Sequence, residues 1–232
     1  MNDADLPIAE LAWDCSCRLI PTRFPPVTLY DRVADPADLA AVFAIEMMTN
    51  PRLRQVLGEL SIVPESERVS GPGTTPIMAA FTHLNPDGSR FSDGTFGVYY
   101  AALDLETAVA EVSHHRAVFL GFTREPAIEV DMRNYRAYIV TAVTDVRGMS
   151  PTMADIYSPD SYAASQILAR RLRSEGGRGV AYDSVRRAGG ECVALFTPKA
   201  IVPPVRQAEH ISLVWDGTRI SGWYEKSGLH EV

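Results

Sequence analysis

The chain has 232 residues, 46% of them hydrophobic and 22% charged, with a formal net charge of −7. That balance excludes a disordered chain, which needs few apolar residues and high net charge. Net negative charge also argues against direct nucleic-acid binding, which needs a basic footprint. No apolar run approaches the roughly 18 residues of a membrane helix. The acidic start MNDADLPIAE lacks the basic-then-apolar order of a secretory signal. Three cysteines, Cys15, Cys17 and Cys192, cannot all pair, which fits a reducing, cytoplasmic setting. One α+β domain over residues 1–232, with its core at about 15–202 and irregular ends, is the expectation.

In chain order, residues 17–20 (CRLI) form a short apolar strand, stopped by Pro21, Pro25 and Pro26. Asp35 offers an N-cap, Pro36 takes the first helical position, and Leu39, Val42, Phe43 and Met47 share one face as far as Asn50. Residues 61–95 are rich in Gly, Pro, Ser, Thr and Asp and read as functional loops or a lid. GVYYAA (97–102) is a strand, and Asp104 caps an amphipathic helix with Leu105, Ala108, Val109, Val112 and Phe119 inward. Two strands follow at 128–132 and 137–143. Ser161 then caps a helix that ends at Gly176-Gly177. GVAYDSV (179–185) and CVALFTP (192–198) are strands joined by the polar turn RRAGGE. After Pro203-Pro204 the chain reads as irregular, with a last strand at HISLVW. Strands and helices do not alternate regularly, which favours α+β over a doubly wound sheet.

The candidate chemistry lies in Arg18, Arg90, Tyr100, Glu111 and Ser184. Tyr100 and Glu111 are joined by one short turn, so strand and helix present both to a single cleft. Glu111 follows Ala108 by three and precedes Val112, at the border of the buried helical face. A carboxylate there is half desolvated. Glu111, His114 and His115 lack the HExxH order and a third ligand, so a metal site is not expected. Cys15-x-Cys17 has no second pair at metal-site spacing. No phosphate-binding P-loop, dinucleotide fingerprint or GxSxG elbow is present.

The stretch GSRFSDGTFGVYYAALDLETAVAEV resembles the central block of the RES-domain family, toxins of bacterial RES–Xre toxin–antitoxin pairs. The early RLIP with Arg18 and the late AYDSVRRAGGECVALF with Ser184 fit the family's outer landmarks, so the likeness spans most of the chain. It departs where Ser89-Arg90-Phe91-Ser92 stands in place of the family's common Gly-Arg-Trp-Asn, and in an extra loop at about 50–85 relative to many members.

This resemblance implies an ADP-ribosyltransferase-like core and an active site that consumes NAD as a substrate, without a metal. Glu111 would contact the ribose hydroxyls and the cation developing at the ribose. Arg18 and Arg90 would neutralise the pyrophosphate, Tyr100 would lie against the nicotinamide ring, and Ser184 would orient Glu111 or the ribose. It also implies a partner, an Xre-like antitoxin with a helix-turn-helix domain that blocks the active site, and allows a toxin homodimer within that complex. Three readings stay open: NAD phosphorolysis or hydrolysis, transfer of ADP-ribose to a protein, and a non-catalytic nucleotide- or partner-binding module.

Overall fold

Side chains on a strand alternate between its two faces, and here both faces of the main sheet are covered. The computed structural model describes residues 6–23, 29–33, 35–49 and 58–226. In chain order its elements are β1 (Ile8–Pro21), the single turn α1 (Leu29–Arg32), α2 (Leu39–Thr49), α3 (Thr75–Thr82), β2 (Tyr99–Ala102), α4 (Leu105–Thr123) and β3 (Ile128–Asp145). There follow α5 (Ala163–Ser174), β4 (Gly179–Asp183), β5 (Glu191–Leu195), β6 (Ile201–Trp215) and β7 (Ile220–Glu225). The seven strands run in the order β1-β2-β5-β4-β3-β6-β7, and β1 also pairs with β3, so the first five close on themselves. All pairings are antiparallel except β3 with β4. The class is α+β, as expected.

The two faces have separate cores. On one, Tyr99, Ala101, Ile139, Ala181 and Leu195 pack with Tyr30 of α1, Leu39 and Phe43 of α2, and Ile77, Met78 and Phe81 of α3. On the other, Ala102, Val180, Tyr182, Cys192 and Ala194 pack under Ala108 and Val109 of α4 and Leu168, Ala169 and Leu172 of α5. Small residues on β2, β4 and β5 let these helices approach closely. The alternation splits the neighbours Tyr99 and Tyr100: Tyr99 is fully buried in the first core, and Tyr100 packs against the second.

Several expectations change. The strands expected at 128–132 and 137–143 are one strand, β3. The polar Arg133 and Asn134 between them are 6% and 0% exposed, sandwiched by β1 and β6. Asn134 Nδ2 donates to Glu209 at 2.8 Å, while its buried Oδ1 has no hydrogen-bond partner among the described residues. The first strand starts at Ile8, well before Cys17, and bulges between Trp13 and Ser16.

Nor is the segment 61–95 all loop. It contains α3, whose first turn is held by Asp31, 44 residues upstream: Asp31 Oδ1 accepts from the Thr75 amide at 2.8 Å and its hydroxyl at 2.7 Å. In the C-terminal part the strand expected at HISLVW is the second half of β6, while the chain around Pro203-Pro204 and the segment of β7 are strand instead of irregular chain. Pro203 and Pro204 fall where the β6 register against β3 shifts between Arg136 and Tyr138, so no ladder bond is lost.

Ser161 does not cap α5, which starts after Tyr162 without a side-chain cap. Phe119 is 43% exposed, and Leu120 takes the buried place on α4. Asp35 does cap, over the 3-10 turn Pro36–Asp38 that leads into α2. Pro25, Pro26, Asn50, the side chain of Met47 and residues 50–57 lie outside the described residues.

Gly97 packs against α3: a Cβ there would sit 2.3 Å from the Phe81 Cα and 2.6 Å from the Ala80 carbonyl. Gly121, inside α4, faces open space. Gly97→Ala is therefore expected to cost about 1–3 kcal/mol, and Gly121→Ala to gain about 0.5–1 kcal/mol. Urea denaturation of the two variants checks this opposition of sign.

Candidate active site

The N-terminus of α4 is set by Asp104. Its Oδ1 accepts from the Thr107 amide at 2.7 Å, the expected N-cap bond. The same carboxylate holds Arg187, whose Nη1 lies 3.1 Å from Oδ2 and donates to the Thr107 hydroxyl at 2.9 Å. Arg187 belongs to the turn between β4 and β5, so one carboxylate fixes that turn against the start of the helix. Gly190 closes the turn, and a Cβ there would stand 2.6 Å from Thr107 Oγ1.

This clamp brings Ser184 to Glu111. The Ser184 hydroxyl donates to Glu111 Oε1 at 2.6 Å and accepts from the amides of Arg186 at 3.1 Å and Arg187 at 3.0 Å. A hydroxyl has one hydrogen and two lone pairs, and all are engaged. Ser184 is therefore an orienting group for the carboxylate, and its hydroxyl also caps the turn. Glu111, one turn and a half into α4, is half-buried with its charge directed at Ser184.

A second half of the site surrounds Tyr100. The phenol oxygen lies 2.7 Å from Ser89 Oγ and accepts from the Phe91 amide at 2.9 Å. Burial, opposed by those bonds, pushes the phenol up to about 12, so it stays protonated. Tyr100 thus fastens the 89–92 loop, which Gln166 of α5 also grips through the carbonyls of Ser89 and Ser92. Gly88, at φ +74°, allows the loop to fold back, since a Cβ there would meet the Ser92 carbonyl at 2.7 Å.

Arg90 is 7% exposed. Its Nη1 donates to the carbonyls of Ile156 at 2.9 Å and Ser158 at 3.0 Å, and its guanidinium lies 4.8 Å from the Tyr162 ring centroid. Arg90 thus ties its own loop to the segment before α5.

The two halves meet at Tyr182, Cys192 and His114. After burial, the Glu111 charge pushes the Tyr182 phenol and Cys192 thiol further up, and the Arg90 charge opposes it. His114, one turn beyond Glu111, is pushed down by desolvation and then by Arg186. Its Nε2 lies 2.9 Å from Arg186 Nη2, and a guanidinium only donates, so that nitrogen accepts and the ring is neutral. Arg186 also donates to the Pro159 carbonyl at 2.7 Å, which completes a belt around the pair.

Arg18 is placed differently. Its Nη1 donates to the Tyr100 backbone carbonyl at 2.9 Å, and its guanidinium stands 4.7 Å from the Tyr99 ring centroid, on the opposite side of β2 from the Tyr100 side chain. Its Nε is buried with no partner among the described residues. The structure therefore joins Glu111 with Ser184, brings Arg90 and Tyr100 alongside, and leaves Arg18 at the edge. Sequence reasoning missed Tyr182, Arg186 and Arg187. The two arginines next to Ser184 in the RRAGGE turn carried a signal.

The fold and site define an α+β protein whose half-buried carboxylate is oriented by a serine. A model of the RES domain matches residues 66–216, well over half of the sequence, and the chain belongs to that family. The uncharacterized protein y4oC of Sinorhizobium fredii (strain NBRC 101917 / NGR234) is 32% identical over 209 residues, covering 89% of this chain and 85% of that one. Among solved structures, the M. tuberculosis MbcT-MbcA toxin-antitoxin complex contains a similar chain at 16% identity and a TM-score of 0.42. That match covers 55% of this chain and 73% of the other.

Asp104 resists burial through the bonds from Thr107 and the charge of Arg187, which together hold its carboxyl below the usual range. A depressed folded-state pKa gives stability that is present above the ordinary carboxylate pKa and lost as pH falls through the folded value. Asn caps a helix as well as Asp does but carries no charge. Asp104→Asn should therefore be less stable than the parent at pH 7 and lose less stability as pH falls from about 5 to about 2. Urea titrations across that range measure the narrowing gap.

Proposed function

We propose that this protein is the toxin of a toxin–antitoxin pair and that it consumes NAD by splitting the bond between nicotinamide and ribose. The observation that carries this reading is the Glu111 carboxylate, held by a serine whose every hydrogen-bonding position is already taken. A carboxylate locked in place suits a reaction that builds positive charge near it.

When the C1′–N bond breaks, its electron pair leaves with nicotinamide and quenches the pyridinium charge. The ribose gains oxocarbenium character, as in glycoside hydrolysis. Glu111 stabilises that cation without reorganising, because Ser184 and the Asp104–Arg187 clamp have already fixed it. The acceptor then adds to C1′: phosphate through an oxygen, or water with loss of a proton.

The other roles follow from placement. Tyr100, protonated and held at its hydroxyl, offers its ring to the nicotinamide. Arg90 contributes its field to the pyrophosphate, since one of its nitrogens already serves two carbonyls. Arg18, on the Tyr99 side of β2, acts from behind by holding the Tyr100 backbone carbonyl. An Xre-like antitoxin covering this cleft would hold the enzyme silent and bring the DNA-binding surface that a chain of charge −7 lacks.

Purified protein is expected to release nicotinamide from NAD. Glu111→Gln should lower the rate about 10²–10³-fold. Ser184→Ala, which removes one bond to a charged group, should lower it about 10–100-fold. A rise with added phosphate identifies phosphorolysis, and indifference to phosphate identifies hydrolysis. Release only with cell lysate, together with label from NAD entering protein, identifies ADP-ribosyl transfer. No release and no labelling under any condition overturns the catalytic reading.

A further inference from the structure

A concavity of about 490 Å³ opens away from Glu111. It is walled by Phe96 and Gly97 before β2, by Arg173 and the turn 176–178 between α5 and β4, and by residues 196–199 after β5. Ser184 and Asp104 mark the opposite ends of β4 and β2. Strands of four and five residues at about 3.3 Å per residue separate the two places by roughly 15 Å. The volume lies within the range of small-ligand sites.

Charge distinguishes this cleft. Arg173, Arg178 and Lys199 line it, and none has a carboxylate partner among the described residues. Arg136, Arg170 and Arg187, by contrast, each hold one, and Arg147 holds two. Arg173 stands over the Phe96 ring at 4.8 Å, and Arg178 gives one hydrogen bond to the Lys199 carbonyl at 3.0 Å. Both keep donors to spare. The cleft's one carboxylate, Glu67, accepts from the Thr197 hydroxyl. Three cations against one anion leave a surplus of two positive charges, on a chain whose net charge is −7. Ile62, Val63 and Phe196 supply an apolar wall beside them.

We infer that this cleft binds a small phosphorylated ligand, its phosphate among Arg173, Arg178 and Lys199 and its apolar body against Ile62 and Val63. A phosphate monoester carries about −1.5 to −2 at pH 7, which matches the surplus, whereas a single carboxylate meets only half of it. Guanidinium forks suit its oxygens. The site is separate from the one proposed for NAD and does not depend on that reading.

Phenyl phosphate tests the inference, with benzoate as the singly charged control. Calorimetric titration should show one site, with benzoate at least about tenfold weaker, and Arg178→Ala and Lys199→Ala each weakening phenyl phosphate about tenfold. Both residues are exposed, so these variants should melt like the parent.

The chain's only lysines, Lys199 and Lys226, give an independent readout. Pyridoxal 5′-phosphate, condensed with a lysine amine and reduced with borohydride, should mark Lys199, and phenyl phosphate should suppress that mark while leaving Lys226 unchanged. Absence of binding at millimolar concentration, binding indifferent to both substitutions, or labelling of Lys199 that phenyl phosphate does not suppress would overturn the proposal.

Discussion

The Asp104 carboxylate is the point on which the site depends. It caps α4, and so fixes the rotation and start of the helix that carries Glu111. It also pairs with Arg187, and so fixes the turn that carries Ser184. Either function alone is common and worth about 1 kcal/mol or less. Together they make the Glu111–Ser184 distance a property of one rigid junction, because helix and turn are referenced to the same side chain. Thr107 strengthens it by donating to Asp104 while accepting from Arg187.

The sheet contributes the second constraint. β2 is four residues long, yet it serves both cores, since Tyr99 and Tyr100 point to opposite faces. A slip of one residue in its pairing with β5 would exchange them, burying the wrong phenol and detaching the 89–92 loop. In the observed register Tyr99 stands opposite Leu195 and Tyr100 opposite Ala194. Fold and site are therefore specified by the same alternation.

Electrostatically the molecule separates its roles. Most arginines are spent on pairing carboxylates or carbonyls, as Arg90 and Arg147 are, which leaves the surface acidic. Three cations without a carboxylate partner among the described residues, Arg173, Arg178 and Lys199, line one cleft. Around Glu111, Tyr100 and Tyr182 stay protonated through burial, and His114 stays neutral through desolvation and the neighbouring Arg186 charge.

The sequence by itself determined the local features: the caps at Asp35 and Asp104, the strand–turn–helix from β2 into α4, the β4–β5 hairpin and the α+β class. Each is written within a few residues by periodicity and capping chemistry. The block from Gly88 to Val112 and the late stretch AYDSVRRAGGECVALF also carried the family, and with it the candidates Glu111 and Ser184, which the fold brings to 2.6 Å across 73 residues. Only tertiary structure decided the rest, because the deciding partners are distant. Asp31 starts α3 from 44 residues away. Burial between β1 and β6 makes Arg133 and Asn134 part of one long strand. The bulge in β6 accommodates two prolines that read locally as a break. Arg18 looked equivalent to Arg90 in the chain, and strand alternation alone placed it on the Tyr99 side of β2. No pattern in a linear sequence reports which face a neighbouring strand presents.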